Sequence, residues 1–147
     1  MSLITDKVFY NALRSNAALM EQVGGRIEST SIPVPDEQLD NVPVPYIIIT
    51  FDGLQNDGFT KDNDFEGNTD HVQVGIEVAA DTRDELGDIM QAIRETVVAY
   101  FEDTEGHAWD DYDFVPVNYT FTASPVGYDS DKPCYYQTLN YNCDTNP

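Results

Sequence analysis

The stretch from Val72 to Phe101 leaves the chain few ways to fold. Val72, Val74, Ile76, Val78 and Ala80 place an apolar residue at every second position, with Gln73, Gly75 and Glu77 between them. That pattern is a strand with one dry and one wetter face. Just beyond it the period changes. Thr82 and Glu85 form a capping box, in which a hydroxyl and a carboxylate each satisfy an orphan amide at a helix start. Leu86, Ile89, Met90, Ile93, Val97, Tyr100 and Phe101 then keep one apolar stripe through about five turns. Strand and helix each have one apolar side that must be buried, so they belong to one layered core.

The rest of the chain supplies partners for those two elements. In the segment from Thr5 to Val23, the apolar positions Val8, Phe9, Ala12 and Leu13, with Ile4 just before it, share a helical stripe, and Ser15-Asn16 interrupts it. This predicts two short helices or one kinked helix, ended by the left-handed conformation that Gly24-Gly25 permits. Pro33, Pro35, Pro43 and Pro45 exclude a long helix from Arg26 to Val44, leaving room for a short strand around Ile27. Tyr46 to Phe51 is a β-branched and aromatic run with apolar residues of both parities, which predicts a central strand buried on both faces. Leu54 to Asp70 reads as a long mobile loop rich in Gly, Asn and Asp, and Glu102 to Asp113 as an acidic one. Val115, Val117, Tyr119, Phe121 and Ala123, then Tyr135, Leu139 and Tyr141, alternate as two more strands, joined through Pro125, Gly127 and Asp129. The expectation is a single α+β domain over 1–147. It has an antiparallel sheet of about four strands, with a long helix and a short N-terminal helical segment on one face.

Charge narrows the function. Seven Lys and Arg face 27 Asp and Glu, a formal net charge of −20. Binding a phosphate backbone draws its free energy from counterions released by a basic face, which this chain cannot offer. Its surface is either a self-repelling, solubilising coat or a wall that nucleic acid passes without sticking. Hydrophobic residues make up 41%, enough for a core and too many for wholesale disorder. The longest apolar run, Tyr46 to Ile49 plus Phe51, is too short to span a bilayer. The N-terminus lacks a basic lead into an apolar block, so the expected location is cytoplasmic. Cys134 and Cys143 lie nine residues apart in one strand-like segment. At about 3.3 Å per residue that is roughly 30 Å, far beyond disulfide reach, and free thiols are expected.

Catalytic patterns are missing. His71 abuts a strand start and His107 lies in an acidic loop, neither near a nucleophile motif. With 27 acids, chance pairs of carboxylates carry no weight as a glycosidase site. Asp62, Asp64 and Glu66, followed by Gly67, resemble the opening of a calcium loop, but Gln73 stands where the closing Glu belongs. A mobile acidic loop explains them as well. Asn118-Tyr119-Thr120 matches a glycosylation acceptor that has no meaning without a secretory route. Tyr119, Phe121, Tyr135, Tyr136 and Tyr141 read as sheet core or subunit contact before base-stacking groups, since so few basic residues accompany them. Phe59 and Phe65 in the long polar loop are candidates for assembly contacts, and tucking onto the domain's own core is the equal alternative.

One arrangement goes beyond composition. The N-terminal helical segment closes on Val23-Gly24-Gly25-Arg26-Ile27, and a Pro-rich connection leads to Val44-Pro45-Tyr46-Ile47-Ile48-Ile49. After the polar loop, Val72 to Ala80 precedes a helix with Ile89, Ile93 and Val97. In this order the chain resembles the tail-completion, or tail-terminator, proteins of long-tailed bacteriophages, over roughly residues 4 to 101. The resemblance implies a virion protein without catalytic residues or cofactor, assembled in the host cytoplasm. It implies a homo-oligomeric ring, commonly a hexamer, on the head-proximal end of the tail tube. Such a ring stops tube polymerisation and docks the head–tail connector, and genomic DNA crosses its lumen without specific binding. Other expectations are a different neck or tail-tube component, an acidic decoy that mimics DNA, and a calcium-dependent binding module. A decoy would not self-associate, and calorimetry with calcium would expose a calcium module.

Overall fold

The computed structural model describes residues 5–29, 43–56, 70–102 and 116–145, with side chains from 119 onward in the last stretch. Among these residues, three helices and six strands run in the order α1 (Thr5–Arg14), α2 (Ala17–Gln22), β1 (Ile27–Ser29), β2 (Tyr46–Asn56), β3 (Asp70–Ala80), α3 (Arg83–Glu102), β4 (Pro116–Ala123), β5 (Gly127–Asp129) and β6 (Cys134–Thr145). The sheet order is β1-β2-β3-β6-β4, and β5 also pairs with β6. All pairings are antiparallel except β1 with β2.

The strand and helix that anchor the sequence reading anchor the fold. Val72, Val74, Ile76, Val78 and Ala80 are fully buried, and so are Leu86, Ile89, Ile93 and Val97 of α3. The Thr82 hydroxyl accepts from the Glu85 amide at 3.1 Å, which caps α3. Each fully buried aliphatic side chain stabilises by about 1.5–3 kcal/mol, so this strand–helix contact dominates the core. The predicted interruption at Ser15-Asn16 separates α1 from α2. Asn16 caps α2 by accepting from the Leu19 amide at 3.2 Å. Gly24 and Gly25 adopt φ of 61° and 76°, which closes α2 and turns the chain into β1.

Arg26 explains why the Gly-Arg-Ile and Pro-Tyr-Ile segments go together. Its Nε donates to the Pro45 carbonyl at 2.9 Å, and its own carbonyl accepts from the Ile47 amide at 2.9 Å. One residue thereby sets the parallel register of Ile27 with Ile47 and Ser29 with Ile49. Aromatic rings tie the chain ends to the same core. Phe9 of α1 lies 5.3 Å from Phe101 of α3 and 5.1 Å from Tyr141 of β6, and Phe101 lies 5.0 Å from Tyr119 of β4. Tilted pairs at these distances add about 0.5–1.5 kcal/mol each beyond area burial.

Three expectations change. The α+β class holds, but the sheet has six strands and is mixed, because β1 and β5 are three-residue pieces too short to show alternation. β2 is dry on one face only. Ile47 and Ile49 are fully buried, whereas Tyr46, Ile48 and Thr50 are half-buried on the side without helices. An apolar run of both parities here means one core row and one partly covered row. Of the loop expected over 54–70, Leu54–Asn56 and Asp70 stand on strands instead, since Leu54–Asn56 pair with Asp70–Val72. The Asn56 amide also donates to Asp70 Oδ1 at 2.6 Å across the end of the hairpin. Residues 57–69, and the acidic loop from 103 to 113, lie outside the described residues.

We expect Ile93→Asp to abolish cooperative folding, because an unpaired charge at a fully buried site costs several kcal/mol. Thr82→Ala removes one cap hydrogen bond and should cost about 1 kcal/mol. Thermal melts that rank the two variants in the opposite order would contradict the placement of α3.

Candidate functional site

Alternation along the strands sorts every sheet residue to one of two faces. One face packs on the helices. The other carries, in register across β2, β3, β6 and β4, the row Thr50, Gly75, Asn140 and Thr122. On either side of it lie the rows Gln73, Asn142, Thr120 and Ile48, Glu77, Thr138. These rows are mostly hydroxyls, amides and carboxylates, with Ile48 and Gly75 among them. Gly75 is required in its row, since a Cβ there would meet Asp52 Oδ2 and Thr50 Oγ1 at 2.6 Å.

The charges are segregated between the layers. Glu28, Asp52, Asp70, Glu77, Asp129 and Asp144 stand on strands, and none of the six strands carries a Lys or Arg. Lys7 and Arg14 are on α1, Arg83 and Arg94 on α3, Arg26 in the turn before β1 and Lys132 in the turn before β6. Lys61 lies outside the described residues. The Lys132 ammonium sits 5.3 Å above the Tyr46 ring, at the end of the open face near β5. Burial first, then Glu77, Cys134 and Asp129, push the Tyr46 phenol up to about 12, so it stays neutral.

His71 is paired, and both cysteines are buried. His71 Nδ1 contacts Asp144 Oδ1 at 2.5 Å, with both side chains partly exposed. Cys143 follows Tyr141 on the helix-facing side, while Asp144 faces the other way. Burial, and next the Asp144 carboxylate, push the Cys143 thiol up to about 12. Cys134 is also raised, by burial and then by Asp129. Thiols held protonated are poor nucleophiles. Both cysteines are free, as their spacing predicts.

Among the described residues, no group of three or more His, Cys, Asp or Glu is placed to hold a metal, and no helix is long and apolar enough to cross a membrane. The calcium-loop candidates Asp62, Asp64 and Glu66, the contact candidates Phe59 and Phe65, and His107 all lie outside the described residues. Tyr119, Phe121 and Tyr141 join the aromatic cluster on the helix side, where Tyr141 is buried and Phe121 stays exposed.

A family model described as "Tail completion protein gp17" matches residues 7–123. The chain belongs to the tail completion protein gp17 family. It is a structural protein of a phage tail, its place is the virion, and it assembles with other tail and head proteins. A search of curated proteins gives no match. Among solved structures, a chain from the "Virion of native gene transfer agent (GTA) particle" has the same fold. The TM-score is 0.68 at 14% identity, over 97% of this chain and 94% of that one.

The raised Cys143 value has a sign that can be checked. As pH rises, the unfolded chain loses this thiol proton near the usual value of 9, and the folded chain only near 12. Stability should therefore be level below about pH 8 and fall between 9 and 12. Denaturant midpoints measured from pH 7 to 11 should show the decline, and Cys143→Ala should make it shallower, with the raised Cys134 and Tyr46 contributing the remainder over the same range. His71→Ala should cost no more than about 1 kcal/mol, as expected of a partly exposed pair.

Proposed function

We propose that this chain forms a homo-oligomeric ring, a hexamer, on the head-proximal end of the tail tube. The ring ends tube polymerisation, receives the head connector, and lets DNA pass with the open sheet face turned to the lumen. The observation that carries this reading is the absence, among the described residues, of any Lys or Arg from the six strands of a sheet whose one face no described helix covers. The strands of this surface bring no cation with which to release phosphate counterions, Lys132 at its end being set in a turn, and its field keeps the duplex off the wall. Family membership supplies the tail context. The helical layer, which carries four of the chain's cations, then faces outward. Phe59 and Phe65 belong in this reading to contacts with a neighbouring subunit or the tube.

The experiment combines purified protein with growing tail tubes. Electron micrographs should show sixfold rings at one tube end, and tube length should stop increasing. Rings that leave tube growth unchanged would remove the terminator role. A second arm tests the wall. Gln73→Lys with Asn140→Lys places two cations in the middle of the open face, on the central strands β3 and β6. This variant should still form rings but retain duplex DNA on a filter, with retention that falls steeply as salt rises. Equal retention by variant and wild type would show that this face does not meet DNA.

A further inference from the structure

The two edges of the sheet differ in character. At β1 the edge is three residues long, and the Arg14 guanidinium donates to the Ile27 carbonyl at 3.1 Å. That bond takes up a backbone acceptor of the strand. At β4 the edge is eight residues long, and no strand among the described residues pairs along its outer side. Natural sheets guard such edges with Lys, Pro, bulges or covering segments. In β4 the guard is confined to Pro116 and the register shift beside it. The remainder, Asn118-Tyr119-Thr120-Phe121-Thr122-Ala123, holds no charged residue, in a chain of net charge −20.

Beside this edge runs a groove of about 340 Å³ between α3 and β4. Val98 is 41% exposed there and Phe121 38%. The Arg94 guanidinium lies 4.6 Å over the Phe121 ring, and Glu95 and Glu102 line the groove with it. Across the molecule, α1 shows the opposite sign. Lys7 and Arg14 are exposed, whereas Asp6, the helix's one carboxylate, is 2% exposed. The solvent side of α1 is therefore positive.

Copies of a chain this acidic repel one another at a distance. They can touch only where carboxylates are absent or are answered by cations. The β4 edge meets the first condition, and the α1 flank facing Glu95 and Glu102 meets the second. We propose that the groove between α3 and β4, together with the β4 edge, receives the α1–β1 flank of a second copy of this chain. The contact joins two different surfaces, so it repeats head to tail from copy to copy until the rotation closes. It rests on the ring reading above and names the faces that build the ring.

The test measures assembly by sedimentation velocity and mass photometry across a concentration series, with circular dichroism to confirm folding. Val98→Asp puts a carboxylate in the groove at an exposed helix position. It should raise the concentration for half-assembly by at least about tenfold, the usual consequence of a charge in an apolar contact. Gln73→Asp, an equal charge on the open sheet face, should change it by less than about twofold. Lys7→Glu should weaken assembly, and Lys7→Glu with Glu95→Lys in the same chain should recover it. A folded Val98→Asp protein that assembles at the wild-type concentration overturns the proposal, as does a double variant no better than Lys7→Glu alone. Wild-type rings that form through another surface leave the tail reading standing. Rings disrupted by Val98→Asp that never stopped tube growth would leave the contact standing and remove the terminator role. A wild-type protein that stays monomeric even with tail tubes removes both.

Discussion

Everything in this molecule hangs on the dry row of β3 lying against α3. The five alternating residues of β3 and the four fully buried side chains of α3 form the largest continuous part of the core. β3 is also the strand flanked on both sides along its whole length, by β2 and β6. The other helices and strands attach to this pair. α1 and α2 complete the helical layer over β1 and β2, and Phe9 joins α1 to Tyr141 and Phe101. A substitution that loosens the β3–α3 contact therefore acts on the whole sheet, whereas one at β1 or β5 acts on an edge.

The legible parts of the fold were those with many repeats of one period. Five alternations marked β3, and five helical turns behind a Thr82 cap marked α3. Asn16 and Gly24-Gly25 announced the break and the end of the N-terminal helices. Three-residue strands carry too few positions for a period, so only the location of β1 was legible, and β5 passed as a turn. β2 misled for a different reason. Ile48 and Tyr46 look like core residues by type, yet they stand on the helix-free face, where neighbouring side chains cover them in part. Sequence alternation reports which residues avoid water. It does not report which layer excludes the water.

The functional surface was partly legible as well. Net charge and the family resemblance pointed to a structural role in a phage tail, and the family match agrees. The segregation of charge between layers could have been read by laying the seven basic residues against the strand spans. The groove beside β4 could not. It depends on Arg94 of α3 and Phe121 of β4 meeting across a distance in sequence that no local pattern encodes.

The cation-free sheet has a consequence for how such a protein can change over time. A requirement of this kind is an exclusion. It forbids two residue types across the strands and asks for no particular one in their place. Substitutions among Thr, Asn, Gln, Ser, Asp and Glu on the helix-free face all satisfy it, so identity at those positions can drift while the property persists. The core is permissive in the same manner, since any apolar residue of suitable volume keeps the β3–α3 contact. Permissive packing of this kind lets two chains share a TM-score of 0.68 at 14% identity.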